Sequence, residues 1–162
     1  MSAARRLLIV GGIALALLGM IYGMWYAVFA EHQELDGMGK SLTVSFIATA
    51  KGDSVAAGAA LREYRKLKYS YDRHVDGHGH WIGLAMVLVV LGIALERVGF
   101  NERLTMLLAV GLVLGSFLFP LGVLLQTFSH GPAPQAVAVV GSALVILSLA
   151  GMTVGFAVPG TK

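Results

Sequence analysis

The chain has 162 residues, of which 57% are hydrophobic and 13% charged, with a net charge of +3 and no cysteine. A soluble domain carries roughly 25% charged residues, so the composition excludes an ordinary soluble globule and predicts an all-α integral membrane protein of one domain. Without cysteine there can be no disulfide, thiolate zinc site, cysteine-held iron–sulfur cluster or c-type haem attachment, and no Lys/Arg cluster interleaved with aromatics suggests a nucleic-acid partner.

In chain order, the first apolar run covers residues 7–30 and carries no charge. It exceeds the roughly 20 residues that a helix needs to cross the hydrocarbon. Arg5-Arg6 before it and Val28-Phe29-Ala30 at its end also resemble a secretory signal, but a signal core is usually only about 7–15 residues. The run is therefore expected to be a retained anchor. Residues 31–76 form a hydrophilic loop. Within it, Leu42–Ala50 reads as a strand or a short interfacial helix, and Asp53 or Ser54 as an N-cap. Residues 55–72 read as an amphipathic helix, with Leu61, Tyr64, Leu67 and Tyr71 at three- and four-residue spacing and Arg62, Arg65, Lys66 and Lys68 between them. That helix is expected to lie on lipid headgroups or dock on a partner.

The second span is short. Trp81 to Leu95 is only 15 residues before Glu96, so a full crossing must start near Asp76 or Gly77 and occupy about 77–96. The third and fourth spans are expected at about 104–125 and 136–158, joined through Gly131-Pro132-Ala133-Pro134. Short connections make neighbouring helices antiparallel, which predicts a bundle of four transmembrane helices. Arg5 and Arg6 ahead of the first span favour cytoplasmic N- and C-termini and an extracytoplasmic 31–76 loop. The Lys and Arg residues within that loop run against this assignment.

Four crossings put all five histidines at one membrane edge. His32 follows the first span, His74, His78 and His80 open the second, and His130 follows the third. Ionisable groups at membrane depth are costly and point to function. Two chemistries fit. One is haem b between helices, held by His78 or His80 with His32 or His130. The other is a copper or zinc site of His74, His78 and His80 with Asp76 or Asp72. Met20, Met24 and Met38 are further soft donors, expected to serve packing. His74 and His78 share a helix face, whereas His80 lies about 200° around from His78. Asp76 is four residues before His80 and suits a supporting hydrogen bond to that ring. The competing expectation is a set of solvated helix-end histidines with no cofactor.

The stretch Gly77-His78-Gly79-His80-Trp81-Ile82-Gly83-Leu84 resembles the His-x-His start of a membrane helix in small proteins related to the catalytic subunits of haem–copper oxidases and nitric oxide reductases. The resemblance covers about ten residues of the 162. It implies haem or copper ligation and an association with respiratory redox machinery.

Three pairs, Gly19-x3-Gly23, Gly111-x3-Gly115 and Gly151-x3-Gly155, have the spacing of close helix contacts; the default reading is packing within this bundle, and the sharper alternative is that at least one pair faces a partner subunit. Pro120 is expected to bend the third span. No charge lies deep in a span, and no phosphate loop or hydrolase motif appears, which disfavours a pump, a proton-coupled transporter or an enzyme acting alone. The leading expectation is a membrane subunit that binds haem or a redox metal and serves electron transfer or complex assembly, within a larger complex or a homo-oligomer. The alternatives are a cofactor-free accessory subunit and a metal or small-solute carrier.

Overall fold

A computed structural model describes residues 1–129 and 131–158. Its elements are five α-helices, α1 (Ala3–Phe29), α2 (Glu31–Ala50), α3 (Ser54–Ala94), α4 (Glu102–Leu125) and α5 (Pro132–Ala157), with a short 3-10 turn at Leu95–Arg97. Four of them, α1, α3, α4 and α5, are long and apolar enough to cross a membrane. The protein is thus a multi-pass integral membrane protein. Its outer surface agrees: Ile13, Leu17 and Met24 on α1, Met86 and Val90 on α3, Leu107 on α4 and Leu147 on α5 are all exposed. Water would tolerate so continuous an apolar surface poorly, and lipid covers it at no cost.

Local chemistry sets the helix ends. Ser2 caps α1 by accepting from Arg5 N, and Asn101 caps α4 by accepting from Leu104 N at 2.9 Å. Pro132 opens α5, where its missing N–H costs nothing. At Ala30 the backbone leaves helical geometry for one residue (φ −120°, ψ −40°), which separates α1 from α2. The chain then reverses at residues 51–53. Gly52 takes φ +76°, which a side chain would resist, and Asp53 caps α3 by accepting from Ala56 N at 2.9 Å.

The loop expected over residues 31–76 is instead a helical hairpin. Leu42–Ala50 is neither a strand nor an isolated interfacial helix, but the second half of α2. Its β-branched residues stay helical because Ser45 and Ala48 are buried where α2 packs on α3. Nor is there a break between the amphipathic segment and the second span. α3 runs 41 residues without interruption, about 60 Å. Gly77 and Gly79 each cost about 1 kcal/mol of helix propensity, but leaving the helix at the membrane edge would strand backbone N–H and C=O groups. The amphipathic segment is therefore the first half of the same helix that carries the second span, packed against α2.

α1 and α2 run side by side with α3 in the opposite direction, α1 against its apolar half and α2 against its polar half. α4 packs on both α1 and α3, and α5 joins the assembly chiefly through α4. Leu8, Leu15, Trp81, Leu88, Leu112 and Met152 belong to the central core. At the end opposite the hairpin, Arg5 and Glu96 form an ion pair that ties the start of α1 to the end of the second span.

The paired glycines all serve contacts within this chain. A Cβ on Gly19 would strike Ile82, one on Gly23 would strike His78, and one on Gly115 would strike the Gly141 carbonyl oxygen at 2.8 Å. Gly111 sits on Ser148, Gly151 on Leu108, and Gly155 on Val98 and Phe100. The default reading, packing within the bundle, therefore agrees with the structure, and the outward-facing alternative does not: Gly19 and Gly23 serve the α1–α3 seam, Gly111, Gly115 and Gly151 the α4–α5 seam, and Gly155 the segment just before α4. Pro120 lies inside α4 and frees the carbonyl of Ser116. The Trp81 indole donates to the next carbonyl, that of Phe117, at 3.4 Å.

Candidate functional site

Four of the five histidines, His32, His74, His78 and His80, lie at the hairpin end of the bundle. His130 falls outside the described residues.

His74 and His78 share the α3 face turned to α1, as their spacing predicts. The His78 ring lies flush on Gly23, and its Nδ1 donates to the Gly19 carbonyl at 2.9 Å. His74 Nδ1 hydrogen-bonds the Tyr22 hydroxyl, and its ring stacks on Tyr26 at 4.7 Å between centroids. One turn further out, Glu34 of α2 accepts from the Tyr26 hydroxyl and from the Ser70 hydroxyl, each at 2.6 Å. A polar cluster of Tyr22, Tyr26, Glu34, Ser70 and His74 thus knits α1, α2 and α3 together where the helices leave the membrane. The sequence pointed to His74 but not to its partners. The available signal was Tyr22 and Tyr26, four apart on the one face of α1 that the tyrosines share.

His80 is oriented differently. It sits exposed at the membrane edge on the α3 face nearer α4, with its ring edge-on to Phe119 at 4.7 Å. Its Nδ1 lies 2.6 Å from the carbonyl oxygen of Asp76. A carbonyl only accepts, so Nδ1 carries the proton and Nε2 keeps its lone pair in the neutral ring. This is the usual preparation of a metal-binding imidazole, one nitrogen held by a carbonyl and the other presented. The supporting atom is the Asp76 backbone oxygen and not its carboxylate, which lies 3.9 Å from Arg73 instead. Nε2 has no hydrogen-bond partner among the described residues.

Beside His80 is an open groove of about 480 Å³, lined by Val75, Asp76, Gly79, His80, Gly83 and Leu84. Side chains placed on Gly79 or Gly83 would meet nothing within 4 Å, so the groove has a flat glycine wall. Above it, Arg73 lies over the Tyr69 ring at 4.9 Å, and the Tyr69 hydroxyl donates to Gln126 of α4 at 3.2 Å. The groove thus combines one imidazole, a flat glycine wall and a mainly apolar lining.

The set of His74, His78, His80 and Asp76 does not assemble. Among the described residues no three His, Asp or Glu side chains are grouped as metal ligands, because His74 and His78 are turned to α1 and His80 toward α4. His32 is exposed on the first turn of α2. Met20 and Met24 do not pack inside the bundle as expected, but are exposed on α1. Compared with family models, curated proteins and solved structures, the chain matches none.

Proposed function

We propose that this chain is a small membrane subunit that offers His80 as a ligand to a haem or another redox metal at its extracytoplasmic edge, serving electron transfer or the assembly of a respiratory-type complex. In this reading the N-terminus is cytoplasmic, in accord with Arg5 and Arg6 ahead of α1. The observation that carries the reading is the state of His80. Its proton is held on Nδ1 by the Asp76 carbonyl, and its side chain lines an open, glycine-walled groove. The resemblance of residues 77–84 implies the same chemistry. His78 and His74 are structural, since their contacts to Gly19, Gly23, Tyr22 and Tyr26 leave no space for a planar ring between α1 and α3.

The test is an absorption spectrum and metal analysis of the detergent-purified full chain, with and without added haem b. A Soret band that shifts from free haem is expected, lost in His80→Ala and kept in His74→Ala, His78→Ala and Gly23→Ala. A protein with no Soret band and no stoichiometric iron, copper or zinc overturns the reading.

A cofactor-free accessory role is the second reading. The observation favouring it is the tip of the hairpin, where Phe46 is 72% and Val55 79% exposed, along with Val44 and Ile47. That apolar patch stands beyond the bilayer and suits a protein partner. The same spectrum separates the two.

A further inference from the structure

The four spans form two tight pairs that meet less closely. α1 closes on α3 at Gly12, where a Cβ would lie 2.8 Å from the Ala85 carbonyl oxygen, and α4 closes on α5 at Gly115 and Gly141. α1 and α4 meet at Gly11, where a Cβ would lie 3.2 Å from the Val113 side chain. From that point toward the hairpin end the two helices part over a crevice of about 350 Å³. Gly11, Ala14 and Leu15 of α1, Leu88 of α3, and Val113 and Phe117 of α4 line it. Gly11 and Ala14 are too small to fill the space, and the fully buried Leu88 closes its floor. We propose that this crevice binds one acyl chain of a membrane phospholipid, which completes the packing between the two helix pairs.

Position decides what surrounds the crevice. Residues 11–18 are central turns of a 27-residue helix and residues 113–117 of a 24-residue helix, so the crevice lies in the hydrocarbon whichever way the chain is inserted. Beside its mouth, Val10, Leu17 and Ile21 of α1 and Val110 and Leu114 of α4 are 36–61% exposed. It therefore opens onto lipid. Water does not enter an apolar hollow at that depth, and an empty one forfeits the dispersion contacts of its lining.

Size and lining decide what enters. From Gly11 to Leu18 the crevice runs about 10 Å along α1, and its volume holds about a dozen groups the size of a water molecule or a methylene. A helix with its side chains is about 10–12 Å across and does not fit, whereas an extended hydrocarbon chain does. Among the described residues no hydrogen-bonding side chain lines the crevice. A polar head would lose its water there without compensation, so the headgroup stays at the membrane surface and only its chain enters. Acyl chains are the bulk component of a bilayer, and mass action favours them over an isoprenoid chain.

The reporter is Trp81, which is buried and donates its indole N–H to the carbonyl of Phe117, directly behind the crevice wall. The experiment uses the full chain in detergent in a Trp25→Phe background, so that Trp81 is the one tryptophan left. Phosphatidylcholine brominated at mid-chain, which quenches indole fluorescence at close range, is titrated in against the unbrominated lipid. Quenching that saturates at one lipid per chain is expected. Ala14→Phe, which fills the crevice from its mouth, should keep its helical circular dichroism and need about tenfold more lipid for half-quenching. Val139→Phe, an equal enlargement on the exposed face of α5, should match the parent protein. Quenching that never saturates and follows the bulk lipid fraction overturns the proposal, and the parent protein alone can give that result. An unchanged titration in Ala14→Phe also overturns it. So does relief of the quenching by an isoprenoid quinone but not by unbrominated phosphatidylcholine, which assigns the crevice to an isoprenoid chain. A lower mass of Ala14→Phe by light scattering overturns it too, assigning the crevice to a side chain of a second copy.

Discussion

The α4–α5 seam is close enough for its weak point to be calculated. At Gly141 an added Cβ would lie 2.7 Å from Phe119 Cα and 2.8 Å from the Leu118 carbonyl carbon. Both are backbone atoms, so no side-chain rotation relieves the contact. Ordinary contact begins at 3.4 Å, and Gly141→Ala must therefore open the seam by about 0.7 Å or more. A gap of that order forfeits about a quarter to a half of each dispersion contact it crosses. Overpacking of this kind typically costs about 1–3 kcal/mol. Alanine returns up to about 1 kcal/mol of helix propensity, leaving a net loss of about 1–2 kcal/mol. For a chain of this size that lowers Tm by about 2–8 °C. Trp25 and Trp81 allow the transition to be followed by fluorescence in detergent. Gly39→Ala is the matched control, since its Cβ meets nothing within 4 Å and only the propensity gain remains. A Gly141→Ala protein as stable as the Gly39→Ala protein would refute the close-packed seam. Phe119 moves with the seam, so its edge contact to His80 should loosen as well.

Two further predictions concern the polar cluster at the hairpin base. Glu34→Ala removes the acceptor of two hydroxyls held at 2.6 Å. With two charge-assisted bonds at the low end of about 1.5–3 kcal/mol each for a half-exposed site, the loss should be about 3 kcal/mol, with Glu34→Gln losing about half as much. An unchanged melting temperature for Glu34→Ala would count against the cluster. His74→Ala removes the hydrogen bond to the Tyr22 hydroxyl and the stacking on Tyr26. A loss of about 1–2 kcal/mol is expected, and an unchanged melting temperature would exclude His74 from the cluster.

Much of the fold was legible because crossing a membrane forces long apolar helices. The four spans, the Asp53 cap and the opposite facing of His78 and His80 all follow from run length and helical period. The hairpin was not legible. Residues 72–80 mix histidine, glycine and aspartate, which reads as a loop in isolation. The cost of freeing backbone groups at the membrane edge outweighs that local preference. The glycine pairs were legible only in part: Gly-x3-Gly marks close approach, as the default reading of packing within the bundle had it, without saying which helix approaches. At the site, His80 could be named but its support could not. An i−4 backbone carbonyl competes with the Asp76 side chain for Nδ1, and only coordinates decide between them.

The unbroken course of α3 turns the hairpin into a lever. About 35 Å of its length, from Ser54 to Asp76, precedes the apolar half, and the same rod carries His80 one turn further on. A tilt of about 5° about that point moves the tip by about 3 Å, by the geometry of a rigid helix. A load on the apolar tip is therefore felt as torque at the imidazole.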